Sequence, residues 1–209
     1  MTPSSASNNS TDENLKRLED YKGTVLRCFP TLKRSYVDYH SIADVDAVTL
    51  ARFLDRFPDG VVMLEVGTFV GVSTFHFACQ LKVSKVISVD LNPWFAEVDT
   101  WDGYLDSGAA PEVRVQDVVE MTLAHFPEQK RKVQLIAGTT TDVNIPVAPG
   151  RPFMAFVDGD HTKEGVEADL RAIFERNPRG RRAARLPIGL DSTGCCWSRG
   201  LGLRGPIRI

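Results

Sequence analysis

The chain has 209 residues, of which 43% are hydrophobic and 25% are charged, and its formal net charge at pH 7 is -2. This length and composition fall within the range of globular proteins and allow one α/β domain with a sizeable core. The near-neutral charge argues against nucleic acid and anionic membranes as partners. No apolar run approaches the roughly 20 residues that a membrane-spanning helix needs.

The amino-terminal residues and the cysteines predict a cytoplasmic protein. Residues 1–5 are followed by neither the basic nor the apolar segment of a signal peptide. The four cysteines are Cys28, Cys79, Cys195 and Cys196. No pair has the spacing of metal ligands, and adjacent cysteines rarely bridge each other, so we expect a reducing compartment.

The amino-terminal part of the chain is predicted to be a tail followed by helices. Residues 1–12 are rich in Ser, Asn and Thr and have almost nothing to bury, so we expect them to be disordered. A capping box that begins at Ser10 predicts a first helix that runs to about Cys28. Together with a second helix, it would fill residues 13–58.

Residues 32–42, between these two helices, allow two interpretations. Their polar and aromatic side chains, among them Tyr36 and His40, could line a site, but a polar connector is the simpler interpretation. The second helix follows, with Asp44 or Asp46 as its cap and apolar residues at helical spacing after it.

Residues 61–74 are the centre of the predicted fold. Residues 61–66 are apolar except for Glu65, which is typical of a strand covered on both faces. Gly67 and Gly71 then allow a tight turn, and helical spacing begins at Val72. Such a strand–loop–helix unit directs backbone N–H groups into a ligand crevice. The spacing is Glu-x-Gly-x-x-x-Gly, not the Gly-x-Gly-x-x-Gly of a dinucleotide-phosphate loop, and the acid before the first glycine would repel a phosphate.

Three further strands are predicted at residues 85–90, 133–137 and 153–157, with helices between them and after the last. This alternation predicts an α/β fold, a doubly wound and mostly parallel Rossmann-like sheet over residues 59–180. Asp90 ends the second strand and would face the same crevice as the glycine loop, where a carboxylate typically binds ribose hydroxyls. The alternative is a solvated strand-end carboxylate.

These motifs resemble those of the class I S-adenosylmethionine-dependent methyltransferases, over about residues 45–175. The likeness is greatest to the methyltransferase-24-like group, which is related to cephalosporin-hydroxylase-like and sugar O-methyltransferases. Residues 65–73 look like the first cofactor motif, and residues 156–161, with Asp-Gly-Asp-His, are the most specific match. The resemblance implies S-adenosyl-L-methionine as cofactor and a hydroxyl of a small molecule or sugar as methyl acceptor.

The resemblance also implies a set of site residues. The predicted cofactor-binding residues are Glu65, Gly67, Thr68, Phe69, Gly71, Ser73, Asp90, Gly138, Thr139 and Asp158. His161 is the candidate base, because histidine is the side chain that most often acts as a general base near neutral pH, and Asp158 is the second candidate catalytic residue. A structural role for His161 at the end of the fourth strand is the alternative. Asp158, Asp160 and His161 could instead hold a divalent cation such as Mg²⁺.

The carboxyl-terminal residues differ in character from the rest. Residues 176–209 contain eight arginines, six glycines, no lysine and one acid. A flexible basic tail and an RNA- or phosphate-binding arm are two interpretations. We favour a third, a frameshifted end of a GC-rich gene over residues 181–209. Proline and arginine suit a buried strand badly, so we expect the last strands of the fold to be missing or disordered.

The sequence therefore predicts an S-adenosylmethionine-dependent methyltransferase with a small-molecule acceptor, and it leaves oligomer formation open. Two other functions stay in competition. One is an NAD(P)- or nucleotide-sugar-binding oxidoreductase, which Glu65 and the long loop disfavour. The other is a non-catalytic remnant that retains the cofactor crevice.

Overall fold

The computed structural model describes residues 6–39, 41–95, 112–146 and 153–176. Its centre is a four-stranded parallel sheet, formed by β1 (Val61–Val66), β2 (Val83–Asp90), β3 (Val133–Ala137) and β4 (Phe153–Val157). The strand order is β3-β2-β1-β4. The first strand, β1, thus lies inside the sheet, β2 and β3 follow on one side of it, and β4 lies on its other side. This is the Rossmann-like α/β arrangement that the sequence predicts.

Seven helices accompany the sheet in the described ranges. They are α1 (Ala6–Cys28), α2 (Arg34–Tyr39), α3 (Asp44–Leu54), α4 (Val72–Cys79), α5 (Val115–Leu123), α6 (Pro127–Lys130) and α7 (Lys163–Arg176). The predicted helices after β1 and β4 are confirmed, as are all four predicted strands. The second strand begins two residues earlier than predicted, at Val83.

Both faces of β1 are covered, because all six of its residues are buried. Met63 packs into a cluster with Leu54, Phe77 and Val86, on the side of α3 and α4. The alternate residue Leu64 packs on the other face, in a cluster with Ile173 of α7. This burial on both faces explains why five of the six residues of the strand are apolar, with Glu65 as the exception.

The amino-terminal helices form the third cluster together with α4 and α5. Tyr21 of α1 stacks on Phe75 of α4, with ring centroids 4.5 Å apart, and lies 5.7 Å from the ring of Phe126. All three rings belong to one apolar cluster or pack against it. Residues ahead of the sheet therefore complete its core.

Two expectations for the amino-terminal part are wrong. Helix α1 begins at Ala6, so residues 6–12 are helical and Ser10 does not start the helix. Once the amphipathic part of a helix is fixed by packing, adding further turns costs little, even for Ser and Asn. Residues 32–42 are not a simple polar connector, because they contain α2, whose Tyr36 and Val37 are buried. His40 lies outside the described residues.

Other predictions also fall outside the described residues. They concern residues 1–5 of the predicted tail, the last strands of the fold, and the interpretations of residues 181–209. In the part of the chain that is described, no helix is both long and apolar enough to cross a bilayer.

Candidate active site

The ends of all four strands meet at one edge of the sheet. Val66 pairs with Val89 of β2 and with Val157 of β4, and Asp90 pairs with Ala137 of β3. Backbone hydrogen bonds continue past the strand ends: the amide of Gly67 donates to Val89, and that of Gly138 donates to Asp90. The predicted convergence of the glycine loop, Asp90, Gly138 and Asp158 at this edge is confirmed.

Gly67 is required by the close approach of the turn after β4. Its φ is +91°, and a Cβ placed there would lie 2.4 Å from the backbone oxygen of Asp158. Any side chain would push the turn after β4 away from the loop and would also strain the backbone. Gly67 thus sets how closely the loop after β1 approaches the turn after β4.

Gly71, at the other end of the loop, approaches helix α1. Its φ is +76°, and a Cβ there would lie 2.7 Å from the hydroxyl of Tyr21 and 2.8 Å from Val119. The Tyr21 hydroxyl donates a hydrogen bond of 3.1 Å to the carbonyl oxygen of Val70. Burial raises the pKa of Tyr21 above its ordinary value, so this hydroxyl keeps its proton and stays a donor.

Asp90 holds the loop from the side of β2. One of its carboxylate oxygens accepts the amides of Thr68 at 2.8 Å and Phe69 at 3.4 Å. The other accepts the amide of Asn92 at 2.8 Å. A carboxylate offers about four acceptor positions, so capacity remains for a ligand hydroxyl. The predicted ribose contact of Asp90 stays a prediction, but its role in shaping the loop is observed.

Phe69 is also held from the side of α2. Its φ is +43°, in the left-handed region that a bulky residue rarely adopts. Its ring lies 5.7 Å from that of Tyr36 and 5.8 Å from that of Phe95. Packing of the ring between these two buried aromatics accounts for a backbone conformation that would otherwise relax.

The first turn of helix α4 has backbone N–H groups that could bind a ligand, whereas those of the preceding loop are engaged within the protein. The amides of Gly67, Thr68 and Phe69 are already engaged by Val89 and Asp90. The N-cap of α4 is Gly71, without a side-chain cap, and its first turn contains no acid. The N–H groups of this turn and the helix dipole therefore suit an anionic group such as a carboxylate.

Glu65 lies beneath the loop rather than in the open crevice, because its side chain has no exposed surface. Its Oε2 accepts the hydroxyls of Thr74 and of Ser88, the latter at 2.6 Å. Its Oε1 is buried without a hydrogen-bond partner in the described structure. The acid thus joins β1, β2 and α4 beneath the glycine loop, and cofactor binding by Glu65 stays a prediction.

The protonation state of Glu65 is set by its surroundings. Burial raises the pKa of this carboxyl from its ordinary 4.5 to about 7, and the nearby Asp158 adds to the rise. Hydroxyl donors, including that of Ser73, oppose it. A group with this pKa changes charge near neutral pH, directly under the glycine loop.

The loop after β3 is closed by its own side chains. The hydroxyl of Thr139 donates to Asp142 at 2.6 Å and lies 2.7 Å from the hydroxyl of Thr141. Gly138 has a φ of +134°, and a Cβ there would lie 2.5 Å from Val143. Gly138 therefore lies at the predicted edge, whereas the Thr139 hydroxyl is occupied within its turn. Adenine binding by Thr139 stays a prediction.

The turn after β4 is the exposed part of the site. The side chains of Asp158 and His161 are 44% and 61% exposed, and Oδ1 of Asp158 lies 3.9 Å from Nδ1 of His161. Burial of its carboxyl raises the pKa of Asp158, and His161 opposes the rise. Asp160 accepts the amide of Thr162 at 2.8 Å, which holds its pKa below the ordinary value.

The predicted metal ligands do not converge. Asp160 turns toward the start of α7, where a Cβ on Gly165 would lie 2.2 Å from its Oδ2. Among the described residues, no group of three or more acidic, histidine or cysteine side chains could hold a metal ion. Asp158, Asp160 and His161 therefore do not fit a magnesium ion in this arrangement, and the expected metal site has no support among the described residues.

Three residues of the site were not expected from the sequence. Ser88 and Thr74 bind Glu65, and Tyr21 binds the loop from another element. The role of Ser88 could have been inferred from the sequence, because Ser88 is a polar residue within an otherwise apolar strand end. The roles of Thr74 and Tyr21 could not, since their partners depend on how α4 and α1 pack.

A comparison with known families decides the identity of this fold. Residues 64–180, more than half of the chain, match the model of a family described as a methyltransferase domain. The chain belongs to this methyltransferase family. The matched residues include the glycine loop, Asp90 and the Asp158 turn, whereas helices α1 to α3 of the methyltransferase chain lie outside the match.

Comparisons with individual proteins add little to this assignment. A crystal structure of a Klebsiella pneumoniae protein assigned as an O-methyltransferase is 16% identical, with a TM-score of 0.47. The alignment covers 77% of this chain and 60% of that protein, so the methyltransferase chain spans less than two thirds of its length. No curated protein matches significantly.

Proposed function

We propose that the protein transfers a methyl group from S-adenosyl-L-methionine to a hydroxyl of a small molecule or sugar. The observation that carries this proposal is the uncapped start of α4 beside Gly71, within residues that match a methyltransferase domain. An acid-free helix start suits the α-carboxylate of this cofactor. The carboxyls of Glu65 and Asp158 lie close to the same loop, where their negative charge would favour the sulfonium and ammonium groups of the cofactor.

The residues of the crevice fit the other parts of the cofactor. The amides at the start of α4, with Ser73, would bind the methionine end, and Asp90 would accept the ribose hydroxyls. Gly138 and Thr139 would border the adenine. S-adenosyl-L-methionine supplies an electrophilic methyl group on a sulfonium when it is bound. The protein has to hold the acceptor in line with that methyl and remove its proton.

His161 is the residue that we assign to proton removal. Its ring is exposed at the crevice edge, and its Nδ1 faces Oδ1 of Asp158 at 3.9 Å. Nε2 of His161 would accept the hydroxyl proton of the acceptor, and Asp158 would stabilise the imidazolium that forms. Because the carboxylates do not converge on a metal position, this step is assigned to the His161–Asp158 pair alone.

The remaining parts of the proposal concern the surroundings of the reaction. We propose a small-molecule acceptor rather than nucleic acid, because the net charge is -2. We propose a cytoplasmic setting, because the cysteine pattern suits a reducing compartment and the methyl donor is a soluble metabolite.

Calorimetric titration of the full chain tests the cofactor. We expect binding of S-adenosyl-L-methionine and S-adenosylhomocysteine, and no binding of NAD. Tight NAD binding without S-adenosylhomocysteine binding would support an oxidoreductase and contradict the proposal. Incubation with S-adenosyl-L-methionine and a panel of sugars and phenols tests the transfer, with S-adenosylhomocysteine release as readout. Binding without release for any acceptor would instead support a non-catalytic remnant.

A further inference from the structure

We infer that Tyr21, a residue of α1 outside the matched methyltransferase domain, is a positioning residue for the cofactor loop. This inference rests on the proposed function. Tyr21 has no exposed surface and belongs to the core cluster shared by α1, α4 and α5. Its ring packs in that apolar cluster, whereas its hydroxyl lies at the loop after β1 and donates to the carbonyl oxygen of Val70 at 3.1 Å.

The loop after β1 has a glycine where the Tyr21 hydroxyl approaches it. Gly71 follows the bonded carbonyl, and a Cβ on it would lie 2.7 Å from the Tyr21 oxygen. Gly71 is also the N-cap of α4, whose first-turn amides are the proposed carboxylate donors. The peptide between Val70 and Gly71 is therefore anchored by Tyr21 immediately ahead of those donors.

The ring of Tyr21 restricts the same helix from a second direction. It stacks on Phe75, with centroids 4.5 Å apart, and the amide of Phe75 donates to the Gly71 carbonyl at 2.9 Å. The hydroxyl thus holds the loop while the ring holds the first turn of α4. Removal of the hydroxyl alone would release the Val70 carbonyl at the α4 end of the loop and leave the core packing in place.

The Tyr21→Phe variant of the full chain tests this role, with Thr24→Val as its matched control. Thr24 is buried on the same helix, and its hydroxyl donates to Asp20 one turn away rather than to the loop. We expect Tyr21→Phe to weaken S-adenosylhomocysteine binding by about 3- to 10-fold in calorimetric titration, as for loss of one ordering hydrogen bond. Thr24→Val should leave this affinity unchanged.

Amide hydrogen exchange of the ligand-free protein provides a readout that does not depend on the cofactor. Tyr21→Phe should speed exchange of the amides at residues 70–73, whereas Thr24→Val should not. Unchanged exchange, or faster exchange with unchanged affinity, would overturn the positioning role. If the wild-type chain binds neither S-adenosyl-L-methionine nor S-adenosylhomocysteine, the proposed function fails first and the role of Tyr21 toward the cofactor fails with it.

Discussion

The carboxyl ends of β1 and β4 lie side by side in the sheet, but they differ in how firmly their turns are held. The loop after β1 has separate anchors on β2 and α1, through Asp90 and Tyr21. The turn after β4 has its amide link to Val66, but the side chains of Asp158 and His161 are 44% and 61% exposed.

Under the proposed function, this difference separates two tasks. A cofactor that is always the same molecule is best bound by a loop whose shape is fixed before binding, since ordering then costs little. An acceptor has to enter and leave, so the groups that act on it need to be accessible. The comparison predicts that changes after β4 affect turnover, whereas changes in the loop after β1 affect binding and stability.

The largest effect is expected at the exposed turn. His161→Ala should lower turnover by about 100- to 10,000-fold, because it removes the proposed proton acceptor. S-adenosylhomocysteine affinity should stay close to that of the wild type. The measurement is product release with an acceptor identified in the panel, beside calorimetric titration.

His125→Ala is the control, because His125 is also exposed but contacts Cys28 at the end of α1. Its turnover should be that of the wild type. Equal turnover in the His161 variant would remove His161 from the mechanism and leave it a structural role at the end of β4.

An intermediate effect is expected where the two turns touch. Gly67→Ala should destabilise the fold by about 2–5 kcal/mol, because it adds an overpacked Cβ to an unfavourable φ. It should also weaken cofactor binding, since the loop and the Asp158 turn must separate. Urea unfolding and titration with S-adenosylhomocysteine measure the two effects.

Gly60→Ala is the control that separates the cost of a positive φ from the cost of the steric clash between a Cβ and Asp158. Gly60 has nearly the same φ, +89° against +91° for Gly67, but a Cβ there would meet nothing within 4 Å. Its cost should be only about 1–2 kcal/mol, with normal cofactor affinity. Equal losses in the two variants would show that the close approach to Asp158 does not matter.

The last prediction concerns the pH dependence of stability that the carboxyl beneath the loop produces. The pKa of Glu65 is raised from 4.5 to about 7 in the folded protein, so the folded state holds a proton that the unfolded chain has lost. The free energy of unfolding should therefore fall as pH rises through this window, by at most about 1.4 kcal/mol per pH unit. Glu65→Gln should lack this component. Parallel stability curves for the two proteins between pH 4.5 and 7 would contradict it.

Prediction from the sequence worked best where one local pattern decides the outcome. All four strands and the positions of Gly67 and Asp90 follow from apolar runs and from what ends them. It worked less well for residues 32–42, where a polar-looking segment forms a helix that buries Tyr36. The rings that pack against Tyr36, those of Phe69 and Phe95, belong to distant parts of the chain that the local pattern does not include.

The sequence by itself determined the four strands and the sheet edge at which their polar ends lie, because strand patterns are local and parallel strands place their carboxyl ends at one edge. Only the tertiary structure decided the roles of the polar groups there. It placed Glu65 under the loop, engaged Asp90 with loop amides, and brought Tyr21 from 49 residues away to Val70. Hydrogen-bond partners and burial depend on packing between distant segments, and packing is not encoded in any single stretch.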